Sequence, residues 1–448
     1  MKVQNKTLKN FSIVCFLLIA CFLFSSRADA VNVHKTILPN GLMLLHSENH
    51  NLPIVTVTLI IKSGQIHEPK EKAGLANLTA ELLTEGTKSR TSRDISEATD
   101  FIGASLDAST GNDYTTVSLS VLKKDVRKGF ELFSDILLHP SFPEEELVRK
   151  RDLIKGSLKH REDEPSFLAE RAFREGIFGE YPYGRLIEGS FETLDKIKRE
   201  DLIQYYSEYF LPNNSILSVV GDLTFEELNI LVSQYLGDWK KDEFTFVAEG
   251  KTNIQTKKKV IKIERNLIQS SVIIGNLGIS RDNPDYYAVS VMNYIFGGGG
   301  FSSRLMQSIR EEKGLAYSVH SYFATYKETG SFQAGVQTKN ESASTAIDEI
   351  LKQIERIRNE KVSDQELSDA KAYLTGSFPR RLDTNRKIAD FLASVEFFGL
   401  GLDYDKKYPD YINAVTQDDV LRVAQKYLTA ENYVIVVVGN QKKAQLKY

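Results

Sequence analysis

Arg310 and Tyr317, seven residues apart in IREEKGLAYSV, are the most chemically useful pair in the sequence. A guanidinium binds peptide carbonyls or a terminal carboxylate, and a phenol donates a hydrogen bond to a developing oxyanion. The flanking residues predict how the pair is carried. Ser302 or Ser303 caps a helix that runs to Lys313, Gly314 ends it, and Leu315 to Val319 begins a strand. Arg310 then sits in the last turns and Tyr317 on the strand, so both can face one cavity. Taken alone, a helix-end arginine paired with an acidic neighbour and a half-buried strand tyrosine is the plainer reading.

Four glycines, Gly297, Gly298, Gly299 and Gly300, precede that helix. Such a run permits positive φ and close backbone approach, and reads as a peptide-contacting loop or simply as a tight turn. It lacks the Gly-Lys-Ser/Thr ending of a phosphate loop. Metal chemistry finds little support: of seven histidines, only His46 and His50 in HSENH have ligand-like spacing, and a strand running into a turn keeps the two rings off any common helical face. Solvated loop histidines are the expectation there. Both cysteines, Cys15 and Cys21, lie near the N-terminus.

That N-terminus has three lysines, an apolar run from Phe11 to Phe24 and an Ala28-Asp29-Ala30 cleavage pattern, which together read as an exported signal sequence over residues 1–30. The run is short for a membrane span. Leu18 to Cys21 loosely resembles a lipid-attachment motif, although Phe22 to Phe24 continue the apolar run past the cysteine. Removing the signal leaves a chain without cysteine, destined for the periplasm or a comparable exported compartment. The formal charge is -3, and residues 1–30 carry four cations against one carboxylate, so the remainder is more acidic still. With no basic stripe, a nucleic-acid partner is not expected.

The chain of 448 residues is too long for one ordinary core and repeats itself. YYSEYFLPNNSILSVVGD (205–222) matches VAQKYLTAENYVIVVVGN (423–440), placing Tyr209 with Tyr427 and Gly221 with Gly439. EELVRKRDLIKGSL (145–158) matches QELSDAKAYLTGSF (365–378), placing Leu147 with Leu367 and Gly156 with Gly376. Two matches at nearly one offset indicate a duplicated domain. In the first half LPIVTVTLIIKSG, SLDASTGNDYTTVSLSVL and ILSVVGD read as strands, while Val126–Leu138 and Glu144–Arg161 have helical period. In the second, SSVIIGNLGI, AYSVHSYFA, GSFQAGVQT and YVIVVVGN read as strands, and residues 342–360 and 363–378 as helices. The expected class is α+β, with domains at 31–240 and 260–448 joined by a charged, aperiodic linker at 241–259.

AGLANLTAELLTEGT (73–87), LPNGL (38–42), Pro165, Gly184 followed by GSFETL, FGGGGFSSRL and IREEKGLAYSV occur in an order that resembles the pitrilysin/insulinase family of zinc peptidases across essentially the whole mature chain. The resemblance implies two homologous α/β-sandwich halves forming a clamshell. It also implies that the helix in AGLANLTAELLTEGT should carry His, Glu and His where this sequence has Asn77, Ala80 and Glu81. The family's distal ligand, a glutamate, falls on Ser157 in IKGSLKHREDEP, or on Gly156 if the alignment slips by one. Neither Asn77 with Glu81 nor Ser157 makes a zinc site. Glu81 reads as a solvated or ion-paired helix residue, or as a relic carboxylate contacting substrate.

In catalytic relatives the half opposite the zinc supplies an Arg and a Tyr seven apart, which this sequence keeps as Arg310 and Tyr317 beside the Gly297–Gly300 loop. The resemblance therefore implies a non-metal subunit of a heterodimeric peptidase of the mitochondrial-processing type. Zinc belongs to a homologous partner chain, and an extended peptide is the substrate. The alternative is an inactive homologue with a structural or assembly role.

Overall fold

The computed structural model describes residues 32–243, 257–429 and 431–448. The expected signal sequence and most of the expected linker lie outside the described residues. Two mixed sheets carry the architecture. The first contains β1 (His34–Ile37), β2 (Met43–Glu48), β3 (Ile54–Ile61), β4 (Ser105–Thr110), β5 (Thr115–Leu122) and β6 (Ser215–Gly221), in the order β1-β2-β6-β3-β5-β4. The second contains β7 (Lys259–Glu264), β8 (Gln269–Leu277), β9 (Ala316–Thr325), β10 (Gly330–Lys339) and β11 (Val434–Gly439), in the order β7-β11-β8-β10-β9. Each sheet has one parallel pairing, β2 with β6 and β7 with β11, and is otherwise antiparallel. This is the expected α+β class.

The helices needed below are α1 (Leu75–Glu81), α2 (Val126–Leu138), α3 (Glu144–Arg161), α4 (Pro165–Phe178), α5 (Arg199–Tyr209), α6 (Asp364–Ser377), α7 (Asn385–Phe397) and α8 (Gln417–Tyr427). The repeat is visible as geometry. α5 ends at Tyr209 and β6 at Gly221, as α8 ends at Tyr427 and β11 at Gly439. Period-two alternation on β3 sends Val55, Val57, Leu59 and Ile61 into a core with α1 and α2, and Thr56 and Thr58 to the other face.

Those other faces are covered by exchange. α4, from the first half of the chain, lies across β8 and β11 of the second sheet, while α7, from the second half, lies across β3 and β6 of the first. The α4 contact is apolar: Leu168, Ala169 and Phe173 meet Ile273, Val434, Val436 and Val438. A Cβ on Gly275 would stand 2.6 Å from the Phe173 ring, so this glycine is what lets the helix lie close. The α7 contact is more polar, with Thr58 donating to Asp390 at 2.7 Å and Asn385 donating to the Ile54 carbonyl at 3.2 Å. Residues 33–448 accordingly form one compact unit. Among the described residues no helix is long and apolar enough to cross a membrane.

Candidate functional site

α1 is preceded by Gly74 at its N-cap, whose φ of +99° suits glycine, and the first free N–H groups are closed by Glu68. The buried Glu68 carboxyl accepts from the N–H of Gly74 at 3.1 Å and of Ala76 at 2.6 Å. Burial pushes this carboxyl up to about 8 against the pull of those donors and of Arg185. Leu75, Ala76, Leu78 and Ala80 turn into the core.

Asn77 and Glu81, one turn apart, share the remaining face, and the Asn77 amide donates to Glu81 at 3.1 Å. The Glu81 carboxylate then lies 3.7 Å from the Lys150 ammonium, which also meets Glu85 at 2.9 Å. Arg149 and Ser92 complete Glu85 at 2.7 and 2.8 Å. Burial alone raises the Glu85 carboxyl, but the hydrogen bonds and charges of Lys150, Ser92 and Arg149 outweigh it and hold the group below its usual range. Ser157 and Gly156 are exposed on α3. Lys150, seven residues before Ser157 and so two turns away on the same face of α3, reaches Glu81 of α1 with its charge.

These residues do not fit zinc. Asn77 spends its amide on Glu81, Ala80 has no donor atom, and an ammonium already neutralises the acidic group. No cluster of three His, Cys, Asp or Glu suited to a metal occurs among the described residues. The HSENH expectation needs correction: His46 is buried on β2, with burial lowering its proton affinity, rather than solvated in a loop. His50 is exposed and pairs with Asp222 at 2.6 Å, which raises its own.

Arg310 and Tyr317 do come together. The Arg310 guanidinium carbon stands 4.6 Å from the Tyr317 ring centre and 4.7 Å from that of Phe301, so the cation is held between two rings. Tyr317 is 83% and Phe301 66% exposed, and the nearest carboxylate to Arg310 is the exposed Glu311 at 3.3 Å. The segment Met306–Glu312 is a π-helix rather than the α-helix expected, so Arg310 occupies a wider turn than 3.6-residue spacing gives. Nor do Ser302 and Ser303 cap it. Their hydroxyls donate backward to the Gly299 and Gly300 carbonyls at 2.9 and 2.7 Å, and Gly314 does close the helix with φ +59°.

The glycine run is compact. A Cβ on Gly297 would meet Ser321, one on Gly298 Asn293 and one on Gly299 Tyr294, whereas Gly300, at φ +59°, is open. The N–H of Gly299 is already bonded to the Tyr294 carbonyl at 2.8 Å. Sequence reasoning missed Phe301, although an aromatic residue directly after a glycine turn and before an arginine helix is a usable signal. Lys150 was also missed; its two-turn spacing from Ser157 would have found it.

Family profiles described as "Insulinase (Peptidase family M16)" and "Peptidase M16 inactive domain" match residues 43–190 and 196–374. An "uncharacterized zinc protease" of Rickettsia bellii is 30% identical over 351 residues, 77% of this chain and 82% of that protein. The chain belongs to the insulinase family of peptidases. The "non-peptidase homolog YmxG" of Helicobacter pylori is 25% identical over 92% of this chain and 94% of its own length. A crystal structure of a peptidase M16 inactive domain from Pseudomonas fluorescens superposes with TM-score 0.86 at 27% identity, covering 92% of this chain and 98% of that one. A protease from Helicobacter pylori has the same fold at 19% identity and TM-score 0.84, over 91% of this chain and 99% of its own. The two-halved insulinase clamshell is therefore the fold of this chain.

Proposed function

We propose that this insulinase-family chain is the zinc-free subunit of a two-chain peptidase. It presents Arg310 and Tyr317 to an extended peptide held at the metal centre of a homologous partner. The observation that carries this reading is the Phe301–Arg310–Tyr317 stack, a half-buried guanidinium held between two exposed rings with only an exposed glutamate beside it. Arg310 would hold a substrate carbonyl or carboxylate, and the Tyr317 phenol would donate to the oxyanion that forms during hydrolysis. Gly297–Gly300 shape the turn that brings Phe301 to the stack. Residues 1–30 would direct export to the periplasm.

The test is reconstitution with a zinc-bearing homologue, comparing wild type with Arg310→Ala and Tyr317→Phe. Cleavage above that of the homologue alone, reduced by both substitutions, is the expected result. A mixture no better than the homologue alone sinks the proposal. A second reading, an assembly protein without peptide turnover, is favoured by the "non-peptidase" name of the Helicobacter pylori relative and predicts that outcome.

A further inference from the structure

A cavity of about 330 Å³ lies where the end of β3 meets the β9–β10 hairpin and the last turn of α7. Lys62, directly after β3, and Lys327, in the hairpin, both line it. Two ammonium groups on one small cavity need counter-charges.

The chain does not supply them. The half-buried Lys62 ammonium has neither a hydrogen bond nor an ion pair among the described residues, and Glu396, whose charge reaches it, is taken by Lys35 at 2.6 Å. Burial lowers the proton affinity of Lys62, and the charges of Lys327 and Lys35 add to that effect. Lys327 has only the Phe397 carbonyl at 3.5 Å and the Phe397 ring at 5.4 Å. The acidic groups of the wall are engaged or turned to solvent. Asp113 is buried, with one oxygen accepting from the Tyr183 hydroxyl and the other from the Lys327 N–H at 2.9 Å, while Glu328 is exposed. His67 adds no charge at neutral pH, because burial lowers its pKa to about 4. The remaining wall is apolar: Ile66 is buried, and the Phe397 ring stands edge-on to Tyr114 at 4.9 Å. A half-buried ammonium without a partner, a second one on the same cavity and an apolar wall together fit an anion that brings an apolar body.

We propose that this cavity binds an organic carboxylate with an apolar body, either a free aryl or alkyl acid or the terminal carboxylate of a chain whose last residue is apolar. Lys62 and Lys327 hold the carboxylate oxygens, and Ile66 and Phe397 cover the body. Inorganic phosphate would answer the charge and leave both apolar side chains uncovered. The site is separate from the Arg310–Tyr317 stack and is complete within one chain. Its walls come from β3 in the first half and from α7 and the hairpin in the second, so an occupant braces the two halves against each other.

Calorimetric titration of the purified protein with 3-phenylpropionate tests this. The controls are 3-phenylpropionamide, which keeps the shape and loses the charge, and acetate and inorganic phosphate, which keep a charge and lack the body. The acid is expected to bind about tenfold more tightly than any of them. Lys62→Met should remove most of that difference while holding or raising the thermal melt, since it deletes an ammonium with no partner. Lys327→Ala, at an exposed position where folding is not at issue, should reduce the difference about threefold. N-acetyl-Ala-Ala-Phe binding more tightly than the free acid assigns the site to chain termini, and weaker binding assigns it to free acids. Equal binding of the acid and any control, no binding of the acid, or a preference that survives both substitutions overturns the proposal. None of these titrations uses a partner chain, so failure of the two-chain reading leaves their result standing.

Discussion

The face of α1 and the start of β9 each hold a cation beside ordinary side chains, and they treat it oppositely. At α1 the Lys150 ammonium is closed in with Glu81 and Glu85, and every charge is answered from within the chain. At β9 the Arg310 guanidinium, half-buried as Lys150 is, is oriented by the exposed rings of Phe301 and Tyr317 and has only the exposed Glu311 as a carboxylate partner. A satisfied network stabilises its own neighbourhood and offers nothing to a ligand. An oriented cation with a weak local partner has binding energy still available. The difference separates a region that maintains the fold from one that can act on something else.

The comparison breaks most decisively at Arg310. In a mixture with a zinc-bearing homologue, Arg310→Ala should lower peptide hydrolysis by about a hundredfold, with an unchanged thermal melt because the residue is outside both cores. A coupled fall in melting temperature would move Arg310 into the structural class.

The next effect lies under α1. The folded protein keeps a proton on Glu68 up to about pH 8, whereas the unfolded chain releases it near 4.5. The folded state then holds more protons between those values, so stability falls as pH rises through that window and levels off above it. Unfolding free energies from urea curves at pH 5 and pH 8 should differ by up to about a few kcal/mol, lower at pH 8, and Glu68→Gln should flatten the difference.

Lys150→Met should cost about 1–2 kcal/mol at neutral pH by leaving Glu85 with Arg149 and Ser92 alone. Because the Glu85 carboxyl is held below its usual range in the folded state, the penalty should shrink as pH falls below the ordinary carboxylate range and the group is protonated. Denaturant curves for the two proteins at pH 7 and pH 3.5 measure this, and peptide cleavage in the mixture should not change. Smallest of all, Phe301→Ala should weaken peptide binding by roughly two- to fivefold by removing one side of the cation's aromatic sandwich; anisotropy with a labelled peptide would detect it.

Much of this was legible in the residues. Val126–Leu138 and Glu144–Arg161 have the bounds their period predicts, because each has a clear apolar stripe or a proline-bounded start that nothing tertiary contests. The paired Tyr and Gly positions mark the same helix and strand ends in both halves. The π-helix at Met306–Glu312 was not legible, since an apolar pattern does not distinguish a 3.6-residue turn from a wider one over two turns. Ser302 and Ser303 have the residue types of caps, but the positive φ of Gly300 folds the chain so that their hydroxyls point backward. The destinations of α4 and α7 were hidden for a different reason. An amphipathic helix shows that it has an apolar face and not which sheet will receive it.

Because α4 covers the second sheet and α7 the first, neither half can close its own sheet. Cut at the linker and purified apart, each would present a bare β-face and seek the other, so the pieces should be recoverable only as a complementing pair. A half-length chain of the kind the repeat implies would face the same difficulty, and two such chains trading helices would meet it. Joining them would turn a dimer interface into an interior.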